Sequence, residues 1–81
     1  MLTAAQIRSA RALVRWSAHE LAEKSGVSWT TIQRMESQDG VPSAIARNLE
    51  KIRRTLEDAG VIFIDEDEEG PGVRLRKSRD D

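Results

Sequence analysis

The stretch that most restricts this chain is residues 17–36, where two short helical patterns meet at Gly26. Ser17 followed three residues later by Glu20 is the spacing of a capping box, in which each side chain answers the other residue's free backbone N–H. Trp16 and Leu21 stand where a hydrophobic staple would hold the chain's entry to that helix. The pattern stops at Ser25-Gly26, since glycine takes the positive φ that ends a helix without a Cβ penalty. Ser28 predicts the cap of a second helix, with Val27 and Ile32 as its staple. Leu21, Ala22, Val27, Ile32 and Met35 are the apolar residues, and Ala22 is small where two helices must approach. The reading is helix, tight turn, helix.

The flanking chain extends the same logic. Leu2-Thr3-Ala4-Ala5-Gln6-Ile7 is a second capping box with a staple. The helix it opens runs to about Val14, with Ile7, Ala10 and Val14 inward and Leu13 beside them. Gly40 and Pro42 punctuate the segment after Met35. Ser43 then predicts the cap of a longer helix, whose inner stripe is Ile45, Leu49, Ile52 and Leu56. Arg47, Lys51 and Arg54 fall on its opposite side, and Ala59-Gly60 ends it. From there the period changes to two. Val61-Ile62-Phe63-Ile64 predicts a strand and Val73-Arg74-Leu75-Arg76 a second, joined by the acidic loop Asp65–Gly72. The organisation expected is a helical domain over 1–60, a β-hairpin over 61–76 and a frayed tail over 77–81.

At 81 residues there is room for one domain, and a chain this short buries only about 60–65% of its unfolded surface. The net charge is −1, but it is unevenly spread. Residues 1–60 carry nine Lys or Arg against seven Asp or Glu, and residues 61–81 carry four against seven. The helical part is thus mildly basic at +2 and the rest acidic at −3, a division that matters more for a charged partner than the total does. There is no cysteine, hence no disulfide framework or thiolate metal site. No apolar run approaches the ~20 residues that span a bilayer, and no signal-peptide pattern opens the chain. A cytoplasmic protein that does not enter membranes is expected.

Catalytic and cofactor signals are weak. His19 is the single histidine and has no ligand partners at metal spacing, so it reads as an exposed helix residue. Thr3, Ser17 and Ser28 are explained by capping, and none needs to be a nucleophile. The run Asp65-Glu66-Asp67-Glu68-Glu69 lacks the alternating ligands and turn glycine of a calcium loop. No enzyme, metal or cofactor is expected.

Residues Leu21-Ala22, Gly26-Val27-Ser28, Ile32, Met35 and Glu36, together with Arg11 and Trp16 upstream, closely resemble the DNA-binding motif of the Cro-and-repressor, or XRE, family. The resemblance covers about residues 4–59. It implies a mainly α, lambda-repressor-like fold of four helices, here followed by the C-terminal β-hairpin, and a protein that binds double-stranded DNA and regulates transcription. It also implies a structural bridge between Arg11 and Glu36, tying the first helix to the third. In such a motif the second helix enters the major groove. The resemblance places Trp29, Thr30, Gln33 and Arg34 at the bases, where Gln33 suits adenine and Arg34 suits guanine. Trp29 has two readings, against DNA or packed on the corner between the two motif helices. Phosphate contacts fall to Arg15, Ser17, Ala18, Thr31, Gln38 and Ser43. Ala18 departs from the glutamine that many relatives carry there, and Arg15 stands where relatives often have glycine.

The hairpin bears on partners. A lone two-stranded hairpin is marginal in water, and its first strand is apolar on both faces. It must lie against the helices. The expectation is that it also joins a second copy, with Val61, Ile62, Phe63, Ile64, Val73 and Leu75 at the homodimer interface; the plainer reading is a hairpin that covers only its own domain. A chain so short has no room for a separate effector domain, so a repressor on an inverted repeat is expected, with half-sites ~34 Å apart. The rival is an antitoxin or interaction module that captures a protein through the hairpin.

Overall fold

The structure, a computed structural model, describes residues 2–40, 42 and 44–77. Three of its four helices begin at a side chain that answers a free backbone N–H. Helix α1 (Ala4–Leu13) starts at Thr3, whose hydroxyl accepts from the Gln6 N–H at 3.1 Å while Gln6 Oε1 accepts from the Thr3 N–H at 2.9 Å. Helix α2 (Ala18–Ser25) starts at Ser17 with the same reciprocal pair to Glu20, both bonds 3.0 Å. It ends at Gly26 with φ 76°, a left-handed conformation that favours glycine. Helix α3 (Trp29–Glu36) starts at Ser28, which accepts from the Thr31 N–H at 3.2 Å. Leu2, Ile7, Leu21, Val27 and Ile32, the staple residues, are all buried, and Trp16 packs half-buried against them.

Helix α4 is the exception. It spans Ala46–Asp58, later than the sequence suggests, with Ile45 at its N-cap and no capping side chain. Pro42, Ala44 and Ile45 lie before it outside any helix or strand, and Ser43, the expected cap, lies outside the described residues. The inner stripe is therefore Leu49, Ile52 and Leu56 alone, and Ile45 is 68% exposed. Its backbone is extended, so consecutive side chains point opposite ways: Ala44 turns to the core and Ile45 turns out. Arg53–Glu57 and Glu50–Arg54 pair along the outer side at 3.3 and 3.4 Å, contacts worth a few tenths of a kcal/mol each.

Ala59 and Gly60 close α4, and the chain enters an antiparallel pair, β1 (Val61–Ile64) and β2 (Gly72–Leu75). The register joins Val61 to Leu75, Ile62 to Arg74, Phe63 to Val73 and Ile64 to Gly72. Strand β2 starts one residue before its expected position because Gly72 completes the pairing with Ile64; Arg76 instead donates its N–H to the Gly60 carbonyl just past the ladder. β1 lies on α4 and β2 on α1. Val61 and Phe63 complete a core shared with Ile7, Ala10, Leu21, Ile32, Met35, Ile52 and Leu56. Of the tail expected to fray, residues 78–81 lie outside the described residues.

One polar side chain ties the hairpin to the helices. Gln6 is 5% exposed. Its amide nitrogen donates to the Ile64 and Gly72 carbonyls at 3.1 and 3.0 Å, while its oxygen caps α1. No described side-chain nitrogen or oxygen is buried without a partner, as a stable interior requires.

Candidate nucleic-acid interface

Along α3 the buried residues are Ile32 and Met35, and the exposed ones are Trp29, Thr30, Gln33 and Arg34. At 3.6 residues per turn those four occupy an arc of about 140°. They form one face of one helix, and the core determines which face it is. The residues read as base contacts therefore share a surface, and the Arg34 guanidinium forms no ion pair there among the described residues.

This helix is pinned at both ends. At its start the Ser28 hydroxyl also donates to the Thr31 hydroxyl at 2.8 Å. At its end Glu36 accepts two hydrogen bonds from Arg11, each 2.9 Å, in a fork-to-fork pair. The Arg11 side chain is 26% exposed and that of Glu36 10%. Arg11 spends a third donor on the Trp16 carbonyl at 3.0 Å, and Arg8 donates to the Glu36 carbonyl. The hydrogen-bonded Glu36 carboxylate raises the Arg11 pKa above its ordinary value although burial opposes it. One guanidinium thus joins α1, the entry to α2 and the last residue of α3.

The expected phosphate contacts divide. Arg15 is exposed in the turn between α1 and α2, at φ 60°, the only described non-glycine residue with positive φ. Such a backbone costs an ordinary residue about 1 kcal/mol or more. Ser17 is occupied on both sides, its hydroxyl and its N–H serving Glu20, so the first turn of α2 offers only the N–H groups of Ala18 and His19. The Glu20 carboxylate at that end also disfavours an anion. Thr31 is half-buried with its hydroxyl bonded to Ser28. Gln38 donates to the Arg34 carbonyl at 3.0 Å, so its amide closes α3. Ser43 lies outside the described residues.

The start of α4 is more open. It has no acidic residue in its first turn and carries Arg47 there, exposed. A cleft between this start and α3 is lined by Thr31, Arg34, Met35, Ala44, Ile45 and Asn48. The sequence does not mark Arg47 and Asn48 as contact residues, because the Ser43 signal suggests an earlier helix start than Ala46. His19 likewise reads from the sequence as an isolated surface residue. Its ring stacks on Trp29, centroids 4.8 Å apart and planes 2° from parallel. Trp29 is therefore packed on the corner between α2 and α3 on one side while remaining 39% exposed.

The hairpin residues expected at a homodimer interface divide between its two faces. Val61 and Phe63 are buried within their own chain, at 1% and 9% exposure, and Val73 packs partly buried on the same core. Those side chains are spent on the core of their own chain. Ile62 and Ile64 are half-buried on the opposite face, and Leu75 is 49% exposed. Among the described residues no cluster of His, Cys, Asp or Glu is placed to hold a metal, and no helix is long and apolar enough to cross a membrane. No protein-family model matches the chain, and comparison with curated proteins finds no match.

Proposed function

We propose that this chain is a helix-turn-helix protein of the Cro-and-repressor type that binds a specific sequence in duplex DNA as a homodimer and regulates transcription. The observation that carries the reading is the exposed arc Trp29, Thr30, Gln33 and Arg34 on a helix anchored by Ser28 at one end and by the Arg11–Glu36 pair at the other. Base discrimination needs donors and acceptors held in fixed positions, and an anchored helix presenting amide and guanidinium groups supplies them. Gln33 then pairs with adenine and Arg34 with guanine in the major groove. Arg15 and the open start of α4 with Arg47 hold the phosphates, while Ser17, Thr31 and Gln38 support the backbone instead. Occupying an operator represses by exclusion. No step calls for catalysis or a cofactor.

Dimerisation rests on the hairpin's outer face. Ile62 and Ile64 supply apolar surface, whereas Leu75, paired with Val61, lies at the exposed edge of the inner face, and the charges flanking the outer face are self-complementary. Antiparallel pairing of two hairpins sets the acidic segment Asp65–Glu69 of one copy beside Arg74, Arg76 and Lys77 of the other. A two-fold partner of this kind is isologous, as cyclic dimers require.

Selection of bound sequences from a random duplex pool, at two salt concentrations, tests the proposal. Enrichment of an inverted repeat with affinity falling steeply as salt rises is the expected outcome. Failure to enrich any sequence, with weak binding that salt abolishes, would remove it and favour capture of a protein partner by the hairpin.

A further inference from the structure

Trp29 is the one large apolar side chain on an otherwise polar arc, and it is not loose. Ser17 and Ser28 fix the starts of α2 and α3, and the left-handed Gly26 folds the two helices together. His19 in the first turn of α2 and Trp29 at the first position of α3 are thereby set ring to ring, 4.8 Å apart and 2° from parallel. The imidazole covers part of the indole, and the remainder stays open at 39% exposure beside Thr30 and Gln33. Offset parallel stacking is a favoured aromatic geometry, and it holds the indole plane before any ligand arrives. A contact surface ordered in advance loses less freedom on binding.

We propose that this stacked pair is a platform for the 5-methyl group of a thymine, with Trp29 the specificity-determining contact and His19 the positioning residue behind it. The inference rests on the DNA reading above and deepens it. Among the base edges of the major groove the thymine methyl is the single apolar feature, and the open part of the indole is the matching feature of the protein. The neighbours Thr30, Gln33 and Arg34 take the polar edges. A bond from the indole N–H to a phosphate would use the same residue without sensing the methyl, and the two are separable by experiment.

The probe is the duplex recovered by selection, with each thymine replaced in turn by deoxyuridine, which removes only the methyl. Affinities are measured for the full chain and for Trp29→Ala, His19→Ala and His19→Phe, with far-ultraviolet circular dichroism confirming that each exposed-site variant folds. The native chain should lose roughly four-fold in affinity per half-site at one thymine, the value of one buried methyl. Trp29→Ala should bind thymine and deoxyuridine equally at that position. His19→Ala should lose most of the discrimination, and His19→Phe, which keeps a ring for the stack, should retain it. A native chain indifferent to every deoxyuridine overturns the platform, as does discrimination that survives Trp29→Ala or is undiminished in His19→Ala. Those results leave the DNA reading standing. Failure to select any sequence overturns that reading and the platform with it.

Discussion

The exposed side of α3 and the outer side of the hairpin are both uncovered surfaces of one small domain, yet they are built in opposite ways. On α3 the side chains are polar or aromatic, and the backbone beneath is clamped by a cap, a staple and a bidentate ion pair. On the hairpin the side chains are aliphatic, Ile62 and Ile64, and the anchor is the Gln6 amide at one end together with the packing of Val61 and Phe63. A rigid polar face suits a ligand that presents hydrogen-bonding groups in a fixed pattern. A half-buried aliphatic face suits a surface of its own kind, since burial of apolar area needs no such pattern. The core side of each element is committed inward, so the two surfaces can be disturbed separately.

The largest effect falls on the inner side of the hairpin. Phe63→Ala should destabilise the fold by about 3–4 kcal/mol in chemical denaturation, because a buried ring leaves a cavity. Ile62→Glu, one residue earlier and facing out opposite Arg74, should cost about 1 kcal/mol or less. If the outer face joins two copies as proposed, the variant should nevertheless give a monomer by light scattering at concentrations where the native chain dimerises. Comparable losses of stability in the two variants would dissolve the distinction between the faces. On the other surface, Arg11→Ala strands the Glu36 carboxylate and should cost about 2–3 kcal/mol. Adding Glu36→Ala should recover part of that loss, a coupling that a double-mutant cycle measures. Smallest is Arg15→Gly, which relieves a left-handed residue and should raise stability by about 1 kcal/mol. If Arg15 serves phosphate, the same change should lower DNA affinity and reduce the salt slope by about one per protomer. A gain in stability with unchanged DNA binding would show that the strained arginine serves another purpose.

What was legible in the sequence was mostly local. The capping boxes at Thr3 and Ser17, the cap at Ser28 and the helix end at Gly26 are each encoded by residues no more than four apart, and each stands as expected. The strand run at Val61 was equally plain, but alternation cannot say which of two apolar faces turns inward. Packing on α4 and α1 decides that, and it turns Val61 and Phe63 into the core. Ser43 reads as a cap because a serine before an amphipathic stripe resembles one, whereas α4 begins at Ala46 with Ile45 at its N-cap. Gln6 was read as half of a capping box, and nothing local announces its bonds to residues 58 and 66 positions away. His19 and Trp29 lie in the first turns of consecutive helices, and only the turn between them makes them neighbours. The Arg11–Glu36 pair is non-local as well, and family resemblance, not periodicity, singled it out.

The most direct test of base reading by α3 is a comparison of the native chain with Arg34→Ala on the selected operator and on its full set of single-base variants. If α3 reads sequence, Arg34→Ala should lose about 1–3 kcal/mol on the operator and become indifferent at one base pair, keeping its preferences elsewhere. An equal loss on every duplex would make Arg34 a phosphate contact, and no loss at all would mean that this helix does not face DNA.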